Sequence, residues 1–284
     1  MLPKSIQNII EKELGDKIKS VKSVLGGDIN TAYRLTFESD QTAFLKTNEE
    51  APPSMFQAES KGLKLLNSAG TELTIPNVLL LGDNFLLLEW IKEGCGKPGS
   101  AYNFGVELAK LHKTIDSQFG LDQDNYIGRL PQSNTQHNNW PDFFAIERIE
   151  PQIKMGIESD KLNRSVLKEA VSLYKKLGSI FPKEQPALLH GDLWSGNYKF
   201  TQKDSAGIYD PAVYYGHREM DISMTRLFGG FSADFYSGYN DEYPLEPGYE
   251  DRIKLCNLYP VLVHANLFGG SYSRQAEKII KNYA

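Results

Sequence analysis

Apolar residues fall at helical spacing over residues 4–14, where Ile6, Ile9, Ile10 and Leu14 make one stripe that ends at Gly15. The period then shortens to two. Residues 18–24 and 31–37 both alternate, which predicts two strands joined through Gly26-Gly27-Asp28-Ile29-Asn30. A third strand is expected over 42–46, after a turn at Ser39-Asp40-Gln41, and it ends in Lys46. Helical spacing returns at Phe56, Leu63 and Leu66, a segment that also carries Glu59. The runs 78–81 and 85–88 flank Gly82-Asp83-Asn84 and predict a buried β-hairpin.

Past Glu89-Trp90-Ile91, the stretch from Lys92 to Gly99 is rich in Gly and Lys with a Pro, and reads as a linker. Beyond it the helical period dominates. Phe104, Leu108 and Leu111 predict a long buried helix over 101–113, with His112 as a packed or capping residue at its end. Residues 120–141 read as a polar loop, and helices are expected over 140–155 and 161–177. Leu188-Leu189 makes a short apolar approach to His190, and short strands are expected around Phe200 and Ile208-Tyr209. The pattern is α+β: a β-rich segment 1–91, a linker 92–99 and a mainly helical segment 100–284.

At 284 residues the chain has room for two lobes, each with its own core. Its 40 % hydrophobic and 24 % charged residues are those of a soluble globular protein. A net charge of −5 gives no general attraction to nucleic acid or to an anionic membrane, so neither partner is expected. Cys95 and Cys256 lack metal-type spacing and read as two unpaired thiols in a reducing compartment. The N-terminus lacks the apolar core of a signal peptide, and no run reaches the ~18 apolar residues of a membrane span. The expected location is the cytoplasm.

Chemistry concentrates at His190-Gly191-Asp192-Leu193-Trp194-Ser195-Gly196-Asn197, followed by Ile208-Tyr209-Asp210-Pro211. A Gly-Asp pair alone is an ordinary turn. The order Asp192, Asn197, Asp210 matches a demand of phosphoryl transfer: one Asp takes the hydroxyl proton, while an Asn and a second Asp hold magnesium on the nucleotide phosphates. Lys46 stands at the end of a strand, where such enzymes place a phosphate-binding lysine, and Glu59 could pair with it. Glycines at 26 and 27 could let backbone N–H groups approach phosphate; a plain hairpin turn is the alternative. The Glu89 carbonyl and Ile91 amide could bond an adenine edge between two lobes.

The segments Gly26 to Asn30, Phe44-Leu45-Lys46, Glu59 to Leu63, Asp124 to Gly128, Leu189 to Asn197, Asp210-Pro211-Ala212 and Phe268 to Tyr272 carry a resemblance. The chain resembles the fructosamine kinase (ketosamine-3-kinase) family nearly end to end. The resemblance implies a two-lobed protein-kinase-like fold that uses ATP and Mg2+ to phosphorylate the sugar 3-hydroxyl of ketosamines on lysine. The unstable ester then releases the amine, which is deglycation. It further implies Asp192 as base, Asn197 and Asp210 as magnesium ligands, Lys46 as the phosphate-binding lysine and Glu59 as its partner. Gly26, Gly27, Asp28, Asn30, Glu89 and Ile91 complete the expected ATP site. Trp194, His264 and Asn266 are candidates for contact with substrate, and His190 and Asp221 for support of the loop. Some relatives carry a Cys in the glycine loop that makes intersubunit disulfides; Asp28 stands there in this chain, which speaks against such a redox switch. A monomer or weak homo-oligomer is expected. A kinase for an aminoglycoside, choline or a similar alcohol is the alternative, and a nucleotide-binding scaffold without catalysis a third reading.

Overall fold

The computed structural model of the chain describes residues 2–24 and 30–284. Strands β1 (Ile18–Val24), β2 (Thr31–Phe37), β3 (Thr42–Thr47), β4 (Val78–Leu81) and β5 (Phe85–Glu89) form one antiparallel sheet in the order β1-β2-β3-β5-β4. Its two faces are covered by α1 (Lys4–Leu14) and α2 (Met55–Ser68). The period of two decides which residues meet which helix. Leu35, Ala43, Leu45 and Leu87 share a cluster with Ile6 and Ile10 of α1. Lys46 lies opposite Leu86, and Phe44 opposite Leu88, on the other face, where Leu86 and Leu88 pack with Phe56, Leu63 and Leu66 of α2. Lys46 is thereby aimed at the helix that carries Glu59.

The helical lobe starts with α3 (Ser100–His112), followed by a hairpin of β6 (Asn125–Ile127) and β7 (Leu130–Gln132). This hairpin corrects the polar loop expected over 120–141. Asn125, Gln132 and Pro131 hide the strand pattern, because the inward-facing positions are buried amides rather than apolar side chains. The helix expected over 140–155 is also interrupted. α4 (Trp140–Phe143) passes into a π-helical stretch, Phe144–Ile149, before α5 (Glu150–Glu158). Pro151 has no N–H to give Glu147, so the ladder is broken where the π turn ends. α6 spans Val166–Ile180, not 161–177. The amides of Lys161 and Leu162 bond back to Gly156 O and close the preceding turn instead.

β8 (Ala187–Leu189), β9 (Tyr198–Phe200), β10 (Ala206–Ile208) and β11 (Tyr214–Gly216) make two small antiparallel pairs, β8 with β11 and β9 with β10. Helices α7 (Glu219–Leu227), α8 (Ala233–Glu242), α9 (Tyr249–Cys256), α10 (Leu258–Phe268) and α11 (Ser271–Tyr283) complete the lobe. Among the described residues no helix is long and apolar enough to cross a membrane.

One apolar cluster runs through both lobes, joining Phe56 and Leu63 of α2 to Leu108 of α3 and to Leu188 and Leu193, on either side of His190 to Asp192. Thr74, ahead of β4, accepts from Ile208 N at 3.0 Å and donates to Ala206 O at 2.8 Å. The 92–99 segment is docked on the β9–β10 hairpin as well: Gly94 N donates to Phe200 O at 2.8 Å and Lys97 Nζ lies 2.6 Å from Asp204 Oδ2.

Helices α3 and α8 approach backbone to backbone through two glycines. A Cβ at Gly105 would lie 2.0 Å from Phe235 O, and one at Gly238 would lie 2.0 Å from Tyr102 O. Gly178, in α6, has nothing nearer than Pro141 Cγ at 4.0 Å. In urea denaturation, Gly105→Ala is expected to cost about 1–3 kcal/mol by overpacking. Gly178→Ala is expected to stabilise by roughly 0.5–1 kcal/mol through its helical preference.

Candidate active site

Three charges converge beneath the sheet. Lys46 Nζ lies 2.6 Å from Glu59 Oε1 and also donates to Asp210 Oδ1. Burial alone would lower the pKa of Lys46, but the carboxylates of Asp210 and Glu59 hold it above its ordinary value. Burial pushes Glu59 up, against the pull of the ammonium. Asp210 reaches this pair from the turn after β10 with φ +58, an uncommon left-handed backbone for a residue other than glycine. Its Pro211 neighbour and the Tyr209 carbonyl, bonded by His190 Nε2 at 3.0 Å, hold that turn in place.

Asp192 sits on the loop between β8 and β9. Asn197 Nδ2 donates to Asp192 Oδ2 at 3.1 Å and to Asp192 O at 2.9 Å, which ties the two ends of the loop together. The Oδ1 of Asn197 accepts no hydrogen bond among the described residues. Burial pushes the carboxyl of Asp192 well above its usual 3.8, and the Asp210 charge adds to the shift. The loop's other carboxylate behaves oppositely. Asp221, in the first turn of α7, accepts from His190 N at 2.7 Å, from Gly191 N at 2.9 Å and from His112 Nε2 at 3.2 Å. Burial would raise Asp221, yet these donors keep it below the usual value. Tyr239 OH lies 2.7 Å from His112 Nδ1 and extends the chain into α8. Gly191 has φ +83, and a Cβ there would meet Ala212 O at 2.0 Å, so only glycine lets the loop pass the Asp210 turn.

The β6–β7 hairpin braces that same turn from the other side. Asn125 Nδ2 donates to Val213 O at 2.7 Å, and Gln132 Nε2 to Ala212 O at 3.1 Å. Tyr259 OH donates to Gln132 Oε1 at 2.8 Å. Arg148, fully buried in the π-helical stretch, stacks on Tyr214 at 4.0 Å and Phe143 at 4.5 Å and bonds Asn134 Oδ1 at 2.7 Å.

Two cavities meet at Asp192. The first, about 220 Å³, is lined by Asn30, Lys46, Glu59, Asn197 and Asp210, residues of both lobes. The second, about 480 Å³, is walled by Trp194, Phe228, His264, Phe268 and Tyr272, with Arg129 in its lining. Trp194 folds over Gly196, where a Cβ would come within 2.3 Å of the indole, and meets Phe228 edge-on at 5.7 Å. His264 joins this wall, but Asn266 does not. Two residues apart on α10, they point to nearly opposite sides. Asn266 is buried and donates to Gln152 O and Oε1 of α5, outside the lining of either cavity. Glu89 and Ile91 lie at the end of the sheet, outside the lining of either cavity. Gly26, Gly27 and Asp28 lie outside the described residues. Sequence reasoning missed Phe228 and Arg129 altogether; Phe268 and Tyr272 were visible only as part of a resembling segment.

A five-stranded lobe with a Lys–Glu pair, set over a helical lobe with a D-x-x-x-x-N loop, defines a protein-kinase-like phosphotransferase. The sequence profile of the fructosamine kinase family matches residues 2–284, and the chain belongs to that family. It is a kinase, and its family implies ATP as donor together with a divalent metal. It is 39 % identical to the probable ketoamine kinase of Enterococcus faecium over 92 % of this chain and 94 % of that one. It is 34 % identical to the chloroplastic protein-ribulosamine 3-kinase of Arabidopsis thaliana, over 97 % and 86 %. A fructosamine-3-kinase-like protein of Thermobifida fusca, solved by crystallography, superposes with a TM-score of 0.90 at 31 % identity, covering 99 % of each chain.

The raised pKa of Asp192 means that its ionised form opposes folding once pH exceeds the ordinary carboxylate range. In metal-free protein at pH 7, Asp192→Asn is therefore expected to raise the melting temperature by roughly 2–4 °C, about 1 kcal/mol. The gain should shrink as pH falls toward 4, where the unfolded chain's carboxyl also holds its proton. A thermal series from pH 4 to 8 checks this.

Proposed function

We propose that this kinase phosphorylates the 3-hydroxyl of a ketosamine, a sugar ketone carried on an amine such as a lysine side chain, and so initiates deglycation. The supporting observation is that Asp192 borders both cavities, the charged one beside Lys46 and the aromatic one beside Trp194. In this reading Asp192 accepts the hydroxyl proton as the hydroxyl oxygen attacks the γ-phosphorus. The bond from that phosphorus to the bridging oxygen breaks, and ADP leaves. Lys46, steered by Glu59, exchanges Asp210 for phosphate oxygens. Asn197 and Asp210 offer hard oxygen donors of the kind magnesium takes, and the ion supplies neutralisation of phosphate charge when bound. Among the described residues no three acidic, His or Cys side chains form a preformed metal cage, which suits an ion held jointly with nucleotide phosphates.

We assign nucleotide contacts to Asn30 and Lys46, to the Gly26-Gly27-Asp28 segment and to the backbone of Glu89 and Ile91. Acceptor contacts fall to Trp194 and His264, and support of the loop to His190 and Asp221. The division into a nucleotide lobe 1–91, a connection 92–99 and an acceptor lobe 100–284 follows from the same reading. A phosphate next to the sugar ketone becomes a leaving group when the ketone enolises toward the amine; its elimination leaves an imine, and hydrolysis of that imine by water breaks the carbon–nitrogen bond and frees the amine. Cys95 and Cys256 are unpaired, in keeping with a reducing compartment such as the cytoplasm.

Asp192→Asn is expected to lower kcat by about 10²–10⁴-fold on a ribulose-lysine acceptor, with the KM for ATP little changed. Mass-resolved phosphorylation of ribulose-, erythrulose- and fructose-lysine beside choline and an aminoglycoside tests the acceptor class. Phosphate on the latter two alone would overturn the ketosamine assignment.

A further inference from the structure

We infer that Arg129 binds a carboxylate on the amine half of the acceptor, which directs this kinase toward free amino acids that carry the sugar on their α-amine. The inference rests on the ketosamine reading above and concerns which ketosamine is preferred. Arg129 occupies the two-residue turn of the β6–β7 hairpin, with Ile127 paired to Leu130 and Gly128 at φ +58. The hairpin is not a mobile arm. Its Asn125 and Gln132 amides hold the carbonyls of Val213 and Ala212, and Arg148 holds the chain just after it at Asn134. Gly128 lines both cavities, so the turn stands between the charged site and the aromatic one.

The side chain of Arg129 is exposed, lines the aromatic cavity and makes no hydrogen bond, ion pair or ring contact among the described residues. Arg148, Arg218 and Arg252, by contrast, each bond carbonyl or carboxylate oxygens. Arg129 and Asp192 are the charged members of the cavity lining, and the rest is largely aromatic and aliphatic. The nitrogen of a ketosamine is a protonated amine at neutral pH, suited to the faces of Trp194, Phe228 and Tyr272. Asp192 serves the hydroxyl end of the acceptor in this reading and makes no ion pair with Arg129, so the guanidinium at the turn is left to an anion that the acceptor itself brings. An α-amino acid adduct does so, one carbon from the nitrogen, where a planar fork can take it bidentately. A lysine side chain within a protein has no carboxylate at that position.

The test compares ribulosyl-glycine with ribulosyl-glycinamide as acceptors for the wild-type enzyme and for Arg129→Gln. We expect wild type to prefer the carboxylate by about fivefold in kcat/KM, mostly through KM, and the variant to lose that preference. The different basicity of the two amines cancels in the wild-type-to-variant ratio. Equal use of both acceptors by wild type overturns the inference, whether or not the variant folds. A preference that survives in Arg129→Gln overturns it too. So does a fall in kcat common to both acceptors, which would put the guanidinium on the transferring phosphate. If neither acceptor is phosphorylated while choline or an aminoglycoside is, the ketosamine reading itself fails.

Discussion

One ammonium group with two carboxylates joins the parts of this enzyme. Lys46 comes from β3, Glu59 from α2 and Asp210 from the turn after β10, so each charge belongs to a different piece of the fold. A nearly buried lysine without such partners would lose its proton or open the structure to water. The pair with Glu59 fixes α2 against the sheet, and the contact with Asp210 draws the turn after β10 up to it. Lys46 is thereby held dehydrated and aimed, the preorganised state in which an ammonium acts most strongly on negative charge.

Around this centre the backbone is held by side chains rather than by long regular elements. Asp221 takes the amides of His190 and Gly191, while Asn125 and Gln132 take the carbonyls of Val213 and Ala212. The two carboxylates of the loop region diverge for a simple reason. Asp221 receives three donors and stays ionised, whereas Asp192 receives one amide and faces the Asp210 charge. The fold spends stability at Asp192 and recovers it at Asp221, a division of labour familiar from acid–base pairs in enzymes.

Much of the fold could be read from the chain. Five strands, the helix of Glu59 and the pair of short strands around residue 204 follow from local periodicity, and each forms within a few residues of its expected bounds. The exceptions share a cause. The β6–β7 hairpin has buried amides where a strand normally shows apolar side chains. The π-helical stretch ends where Pro151 has no N–H to give, and the start of α6 follows bonds back to Gly156. In each case a particular bond, made or missing, overrides the local preference.

The sequence alone determined the spacing of Asp192, Asn197 and Asp210 and the strand position of Lys46, because these are properties of one loop, one turn and one period-two face. Tertiary structure alone decided which side chains share a cavity. His264 and Asn266 stand two residues apart, yet the packing of α10 sends one to the aromatic wall and the other into the core against Gln152. Phe228, Tyr272 and Arg129 reach that cavity from three segments with no common motif. Spacing along a chain fixes directions within an element; only the packing of elements brings distant directions to one point.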